Sequence, residues 1–415
     1  MDGLELLADE IDGRLYAAVV RKGTLIDLYV DSADRSACWA SVYLGKVLKI
    51  DSKLDAAFLD LGAGLMGYLP AKHVRHPGAS EAESRTGIAE LLSTGQLIHV
   101  QVKSEAKSGT ANENNKFPRL TMKLYVPGLF LAYMPNSSEV TISRKIEDKN
   151  IFTLAAKLKG KGGWLIQPRA VKAAEADIEH ESENLRKTWQ DILAAGEALK
   201  GKPGLLKPGP SALFRALVDY GAMDFEHIHV GNKNILALMT IWCGKHLPAL
   251  ATSKRLRLFK PEKPGQRLFD SHDIYSELES LQDARVNLSA GGSIIIEHTS
   301  AMTLIDVNQG SAAGVAQINQ DAAEEIARQI RLRGLSGAIL VDFINMNQKQ
   351  ERLRLLEALE AALADDTAQA QVHGFTRLGL IELTRKRRSG SLAEQLKKHV
   401  VEGSKSAGHN PLDSL

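Results

Sequence analysis

GAILVDFINM, residues 337–346, is an apolar run that reaches an acid at Asp342, and MTLIDVNQG, residues 302–310, reaches Asp306 in the same way. Both read as strands. Around them the C-terminal part alternates: SIIIEHT (293–299), a helix expected from Asp321 to Leu332, a helix expected from Lys349 to Leu363, and GLIELTRKRR (379–388). Strands alternating with helices argue for a buried sheet flanked by helices.

Carboxylates rarely interrupt buried strands without a reason. If the two strands are neighbours, Asp306 and Asp342 converge at one sheet edge, and Asn308, two residues on, faces the same side as Asp306. Two hard oxygen ligands with open positions favour Mg²⁺ over zinc, and no His or Cys cluster competes. Such a site can activate water and neutralise charge growing on a phosphoryl group. A lone strand-end Asp also caps a following turn or helix, and for each acid alone that reading stays open. Downstream, Arg377 lies in GFTRLGLIELTRKRR, which ends in the basic run Arg385, Lys386, Arg387 and Arg388. Basic residues beside a metal can clamp phosphates; the alternatives are a solvated element end for the run and a surface ion pair for Arg377.

Toward the N-terminus, LYAAVV (15–20) and TLIDLYV (24–30), separated by Arg21, Lys22 and Gly23, read as a β-hairpin. Short strand-like runs follow from Cys38 to about Val126, among them SVYLGKVLKID, AAFLDLG, MGYLP and LIHVQVKSE, a spacing that suits a small β-barrel. Two polar insertions, HPGASEAESRTG (76–87) and KSGTANENNK (107–116), interrupt it, and the second is expected to be a mobile loop. Phe58 and Tyr68 sit in the barrel strands, with Lys116 and Arg119 beside that loop. Aromatic platforms next to cations bind single strands by stacking, though strand aromatics also pack inward as core. Further on come GWLIQP (163–168), a helix expected from Val171 to Leu199, and GKPGLLKPGP (201–210), which reads as a boundary. The segment 402–415, EGSKSAGHNPLDSL, is expected to be disordered.

The bulk numbers are those of a multidomain globular chain. Its 415 residues call for roughly two to four packing units. Apolar and charged fractions of 44% and 25% are ordinary, and no run of about eighteen apolar residues suggests a membrane span. The opening MDGLELLADEIDG carries acids where a secretory signal carries basic residues, so a cytoplasmic location is expected. Cys38 and Cys243 are too few for a disulfide framework and read as ordinary thiols.

Taken in order, these motifs resemble the ribonuclease E/G family, from the first hairpin to about Arg388. GKVLKIDSKLDAAFLDLGAGLMGYLP looks like the family's OB-fold RNA-binding domain, GGSIIIEHTSAMTLIDVNQG and GAILVDFINM like its two catalytic segments, and FTRLGLIELTRKRR like the segment that follows. The resemblance places the family's magnesium-binding aspartates on Asp306 and Asp342, its carboxylate-orienting asparagine on Asn308 and its active-site arginine on Arg377. It places the RNA-contacting aromatics on Phe58 and Tyr68 and a basic loop residue on Lys116.

That resemblance implies an α+β multidomain chain. An RNase H-like part (1–35 with 210–280) would hold an inserted OB-fold β-barrel (36–127) and a 5′-end sensor-like segment (128–209), with a DNase I-like α/β catalytic part (281–400) and a tail (401–415) after it. The implied activity is endoribonucleolytic, on single-stranded RNA, with Mg²⁺ or Mn²⁺. Three departures from the family pattern stand out. Where the family has an Arg-Thr pair for a 5′-monophosphate, this chain reads Gln167, Pro168, Arg169, so only Arg169 is left to meet the phosphate. A family glutamate after Thr299 is Ser300 here. No Cys follows Arg388, so a homo-oligomer linked by structural zinc is not expected. A non-catalytic single-stranded RNA-binding protein of the same descent is the rival reading.

Overall fold

The computed structural model describes residues 3–31, 37–75, 87–106, 117–143, 146, 151–221, 224–251, 253–299, 301–310 and 314–396. Lys116, Ser300, most of both polar insertions and the segment 401–415 lie outside the described residues. The architecture is mixed α/β, with a closed five-stranded barrel and several sheets. Two compact units divide it, one of residues 34–258 and one of residues 2–33 with 259–399. Among the described residues no helix is long and apolar enough to cross a membrane.

The chain opens on an antiparallel meander of β1 (Leu4–Ile11), β2 (Arg14–Arg21) and β3 (Thr24–Val30). Lys22 and Gly23 turn β2 into β3 with φ of 52° and 79°, the left-handed pair that a two-residue hairpin turn requires. The hairpin is the expected one, and β1 adds a strand in front of it.

In the unit 34–258, β4 (Val42–Asp51), β5 (Ala56–Gly62), β6 (Leu65–Pro70), β7 (Leu97–Ser104) and β8 (Arg119–Thr121) pair in the order β4-β5-β6-β8-β7. β7 returns to β4 and closes the barrel, which leaves no open edge inside the ring. Val47, Leu59, Leu69, Val100 and Leu120 fill the interior, each contributing about 1.5–3 kcal/mol by leaving water. Gly67 admits this packing: a Cβ there would lie 2.5 Å from Leu120 Cδ1.

β9 (Val126–Pro127), β10 (Leu131–Met134), β11 (Val140–Ile142) and β12 (Gly163–Ile166) form a second sheet in the order β11-β12-β10-β9. The helix over it runs Glu175–Ala198, shorter at its start than expected, because Pro168 opens a separate 3₁₀ turn, Pro168–Lys172. The stretch expected to be a boundary is a strand instead. β13 (Gly204–Lys207) pairs with Val42–Leu44, the half of β4 that β5 leaves unpaired. A free strand edge recruits Leu205 and its neighbours despite the flanking Gly and Pro. β14 (His227–Val230) and β15 (Leu256–Leu258) form a short parallel pair.

In the other unit, β16 (Arg285–Leu288), β17 (Gly292–His298), β18 (Met302–Gln309), β19 (Gly337–Asp342), β20 (Gln371–Phe375) and β21 (Ile381–Arg385) form one sheet ordered β16-β17-β18-β19-β21-β20. The crossover from β18 to the parallel β19 is the helix Val315–Leu332, six residues longer at its start than the sequence suggests; the helix Lys349–Leu363 follows β19 as expected. Ile305, Val307, Ile339 and Val341 point into one core with Ile318, Ile326, Leu355 and Leu359 of those helices. Both helices therefore serve one face, and among the described residues of this unit the sheet's exposed positions lie on the other. On the other face Leu304, Asp306, Asn308, Asp342 and Glu382 are exposed.

Candidate active site

The strand period of two explains the acids. In β18 the odd positions Thr303, Ile305 and Val307 are buried and the even positions Leu304, Asp306 and Asn308 are exposed. Apolar side chains on the helix-covered face fix that register, since a one-residue slip would bury both polar groups. β19 repeats the pattern, with Val341 buried and Asp342 exposed. Asp306 and Asp342 are direct partners in the parallel register of β18 and β19, on strands about 4.8 Å apart. Asn308 Nδ2 donates to Asp306 Oδ2 at 2.9 Å. The structure thus brings together three of the four residues expected to act at the metal.

Close backbone packing sets the strand ends. Gly292 pairs with Gln309, and a Cβ on Gly310 would lie 2.1 Å from the Gly291 carbonyl oxygen, so the glycines of GGS and NQG let the β17–β18 ends meet. Beyond Asp342, the fully buried Asn319 accepts from Ile344 N at 3.1 Å and donates to its carbonyl at 2.8 Å, tying down the chain as it leaves β19. Arg377 is exposed in the turn between β20 and β21, which Thr376 N closes by donating to the Leu380 carbonyl at 2.7 Å. β21 starts with Ile381 opposite Val341, so this turn lies at the sheet end that carries Asp342.

Two further acids share the open face. Glu297 pairs with Leu304 and Glu382 with Leu340, two residues before the aspartate pair in the register, and both are exposed. The same parity in SIIIEHT and LIELT is the sequence signal that marks them. Among the described residues no group of three or more His, Cys, Asp or Glu is placed to hold a metal. The available donor set is two carboxylates and an amide oxygen. Hard oxygens in small number suit Mg²⁺ or Mn²⁺, which keep several waters, better than a closed zinc site.

The basic run 385–388 is engaged within the chain, neither the solvated element end nor the phosphate clamp that the sequence leaves open. Arg385 forms a buried ion pair with Asp366 at 2.8 Å, its side chain 8% exposed and that of Asp366 0%, and donates to the Leu335 carbonyl at 2.9 Å. Burial alone would raise the Asp366 pKa, but the Arg385 bonds and charge outweigh it and hold the carboxyl below its ordinary value. Lys386 bonds Gln369, Arg387 pairs with Glu394 at 3.0 Å, and Arg388 donates to the Thr367 carbonyl at 2.6 Å. These partners are intramolecular.

On the barrel, Lys49, Phe58, Tyr68 and Arg119 form one row by register, Lys49↔Phe58↔Tyr68↔Arg119. Phe58 is half-buried with its ring 5.7 Å from that of Tyr68, which is buried. Phe117 adds a third ring, edge-on to Phe58 at 5.9 Å; its place in FPRL beside the loop is the signal that could have shown it. Nearby, His73 Nε2 lies 3.0 Å from Lys103 Nζ. Burial first, then the charges of Lys103, Lys72, Lys123 and Arg119, hold His73 down to about 4. That cluster makes this part of the barrel strongly electropositive.

Arg169 sits in the 3₁₀ turn after β12 and is engaged. It donates to the Val218 carbonyl at 3.0 Å and to the Asp219 carbonyl, at the end of the helix Ala212–Tyr220, and lies 3.4 Å from Asp224 Oδ2. Gln167 donates to the Gly128 carbonyl at 2.8 Å. The thiol of Cys243 is buried, which pushes it up to about 11.

A family model described as the Ribonuclease E/G family matches residues 125–388, a range that holds Asp306, Asn308, Asp342 and Arg377. The chain belongs to the ribonuclease E/G family. Among the family's curated members it is 30% identical to ribonuclease G of Haemophilus influenzae, over 95% of this chain and 82% of that protein. It is 30% identical to ribonuclease G of Escherichia coli K12, over 94% of this chain and 81% of that protein. Ribonuclease E of Escherichia coli K12 is 33% identical over 92% of this chain but 36% of its own length.

Proposed function

We propose that this ribonuclease E/G family member is an endoribonuclease that hydrolyses phosphodiester bonds of single-stranded RNA with Mg²⁺, in RNA processing or decay. The observation that carries the proposal is the in-register pair Asp306 and Asp342 with Asn308 bonded to one of them. The names of the relatives, ribonucleases G and E, agree with it.

Asp306 and Asp342 would hold the ion on the open face, and Asn308, bonded to Asp306 Oδ2, orients that carboxylate. When bound, Mg²⁺ supplies charge neutralisation at the scissile phosphate and a lowered pKa for the attacking water. With Glu297 and Glu382 on the same face, the unloaded sheet would repel an RNA phosphate, so the two aspartates need a cation to receive substrate. Arg377 pairs with the non-bridging oxygens of that phosphate. The half-buried ring of Phe58, backed by the buried Tyr68, stacks a base while Arg119 and, by the family resemblance, Lys116 meet the backbone. In-line attack leaves a 5′-phosphate and a 3′-hydroxyl. The commitment of Arg169 to helix carbonyls argues against recognition of a 5′-monophosphate through it.

The test is cleavage of a labelled single-stranded oligonucleotide with Mg²⁺ or with chelator. The wild type should cut only with the metal, and Asp306→Asn and Asp342→Asn should not cut while keeping RNA affinity. RNA binding by the wild type without any cutting would replace this reading with a non-catalytic RNA-binding one.

A further inference from the structure

We infer that the open face of the sheet β16–β21 carries a nucleobase subsite beside the two aspartates, one that takes a base bearing an exocyclic amino group. The inference rests on the nuclease reading and names what lies next to the scissile phosphate. Every residue it uses belongs to the unit of residues 2–33 with 259–399.

A sheet face turned to water ordinarily reads polar at its outward positions. This one does not. In β17, Ile294 and Ile296 are buried on the helix-covered side, so Ile295 points to the open face. In β19, Ile339 and Val341 are buried there, so Leu340 points the same way as Ile295. In β18 the outward Leu304 is 37% exposed. The register sets these residues in two rows. Ile295 continues the aspartate row, Ile295↔Asp306↔Asp342, and the neighbouring row is Glu297↔Leu304↔Leu340↔Glu382. Two residues along a strand separate the rows, about 7 Å, so the aspartates have aliphatic side chains beside and behind them.

Aliphatic surface offers nothing to a phosphate. It suits the flat, apolar face of a base, and laying that face on Leu304 and Leu340 removes apolar area from water on both sides. The ends of the row then choose among the bases. Glu297 and Glu382 are exposed, one on each side of the leucine pair. Their carboxylates repel a neighbouring phosphate, so the base and not the backbone occupies the row. An ionised carboxylate only accepts hydrogen bonds. Adenine and cytosine present an amino group to such an acceptor, whereas uracil presents a carbonyl oxygen at the corresponding position and is turned away.

The experiment uses 5′-labelled oligouridylates in which one nucleotide is replaced by adenosine or by an abasic residue, cut by the full chain with Mg²⁺ and mapped to the nucleotide. The wild type should cut next to adenosine about tenfold faster than at the same bond of the all-uridine strand, and slowest beside the abasic residue. Leu304→Ala should shrink the difference between adenosine and abasic strands to about twofold, and Glu382→Gln that between adenosine and uridine, with thermal melt and Mn²⁺ affinity unchanged; should the first variant not fold, the second decides. Absence of all cutting by the wild type would remove the nuclease reading and this inference together. Equal rates on the three strands, or variants that keep the wild-type preference, would overturn the inference alone. So would a Leu304→Ala chain whose only change is in its sedimentation, which assigns the leucines to a contact between copies.

Discussion

Replacing Asp366 by alanine separates two roles for the basic run 385–388. The Asp366 carboxylate is fully buried and accepts from Arg385 Nε and Nη2 at 3.1 and 2.8 Å and from Ala370 N at 2.8 Å. Asp366→Ala leaves the Arg385 guanidinium buried with, among the described residues, only the Leu335 carbonyl as a partner. Removing one half of a buried pair costs about 3–5 kcal/mol, which for a unit of this size lowers its melting temperature by roughly 6–20 °C. The pH dependence has a definite sign. Because the folded carboxyl titrates below its unfolded value of 3.8, its contribution is present above pH 3.8 and is lost as pH falls through the folded pKa. Urea unfolding at pH 7 and at pH 3, beside RNA affinity at two salt concentrations, measures both effects. A phosphate clamp predicts the reverse, namely a stable variant that binds RNA more tightly once the competing acid is gone. That outcome would refute the structural role.

Three other expectations follow from single contacts. Phe58→Ala should lose about 1–3 kcal/mol of single-stranded RNA affinity by filter binding, the worth of one stacked base, with an unchanged melt; equal affinity would remove the barrel row from RNA binding. Arg169→Ala should destabilise the chain by about 1–2 kcal/mol, because it frees carbonyls at a helix end, while leaving the ratio of cleavage rates on 5′-phosphorylated and 5′-hydroxyl oligonucleotides unaltered; a changed ratio would restore it as a sensor. Glu181 is buried and accepts from the backbone N–H groups of Leu129, Phe130 and Leu131, and burial, outweighing those bonds, raises its pKa from 4.5 to about 7. Its stabilising contribution is therefore full below pH 4.5 and is lost as pH rises through 7, by ~3 kcal/mol; Glu181→Gln should flatten that slope in urea titrations at pH 5 and pH 8.

The catalytic sheet was legible because its signal is local. Apolar residues of period two in MTLIDVNQG and GAILVDFINM fix which side chains leave the core, and the parallel register then sets Asp306 beside Asp342. What sequence could not give depends on distant partners. Nothing in GKPGLLKPGP announces that β5 leaves one edge of Val42–Leu44 unpaired, yet that open edge makes Gly204–Lys207 a strand. The run Arg385 to Arg388 reads as a solvent-facing or phosphate-binding cluster until Asp366 and Glu394 are seen facing it. Pro168 did carry a local signal, since its fixed φ separates the 3₁₀ turn from the helix that starts at Glu175. Period two also encodes the parity of Glu297 and Glu382, but only a known register turns parity into a shared face.

Whether both aspartates bind one ion is read most directly by electron paramagnetic resonance of Mn²⁺ titrated into the chain. The spectrum should show a single saturable site that Mg²⁺ displaces, weakened by more than about tenfold in Asp306→Asn and equally in Asp342→Asn. Mn²⁺ affinity that survives intact in either variant would contradict the account.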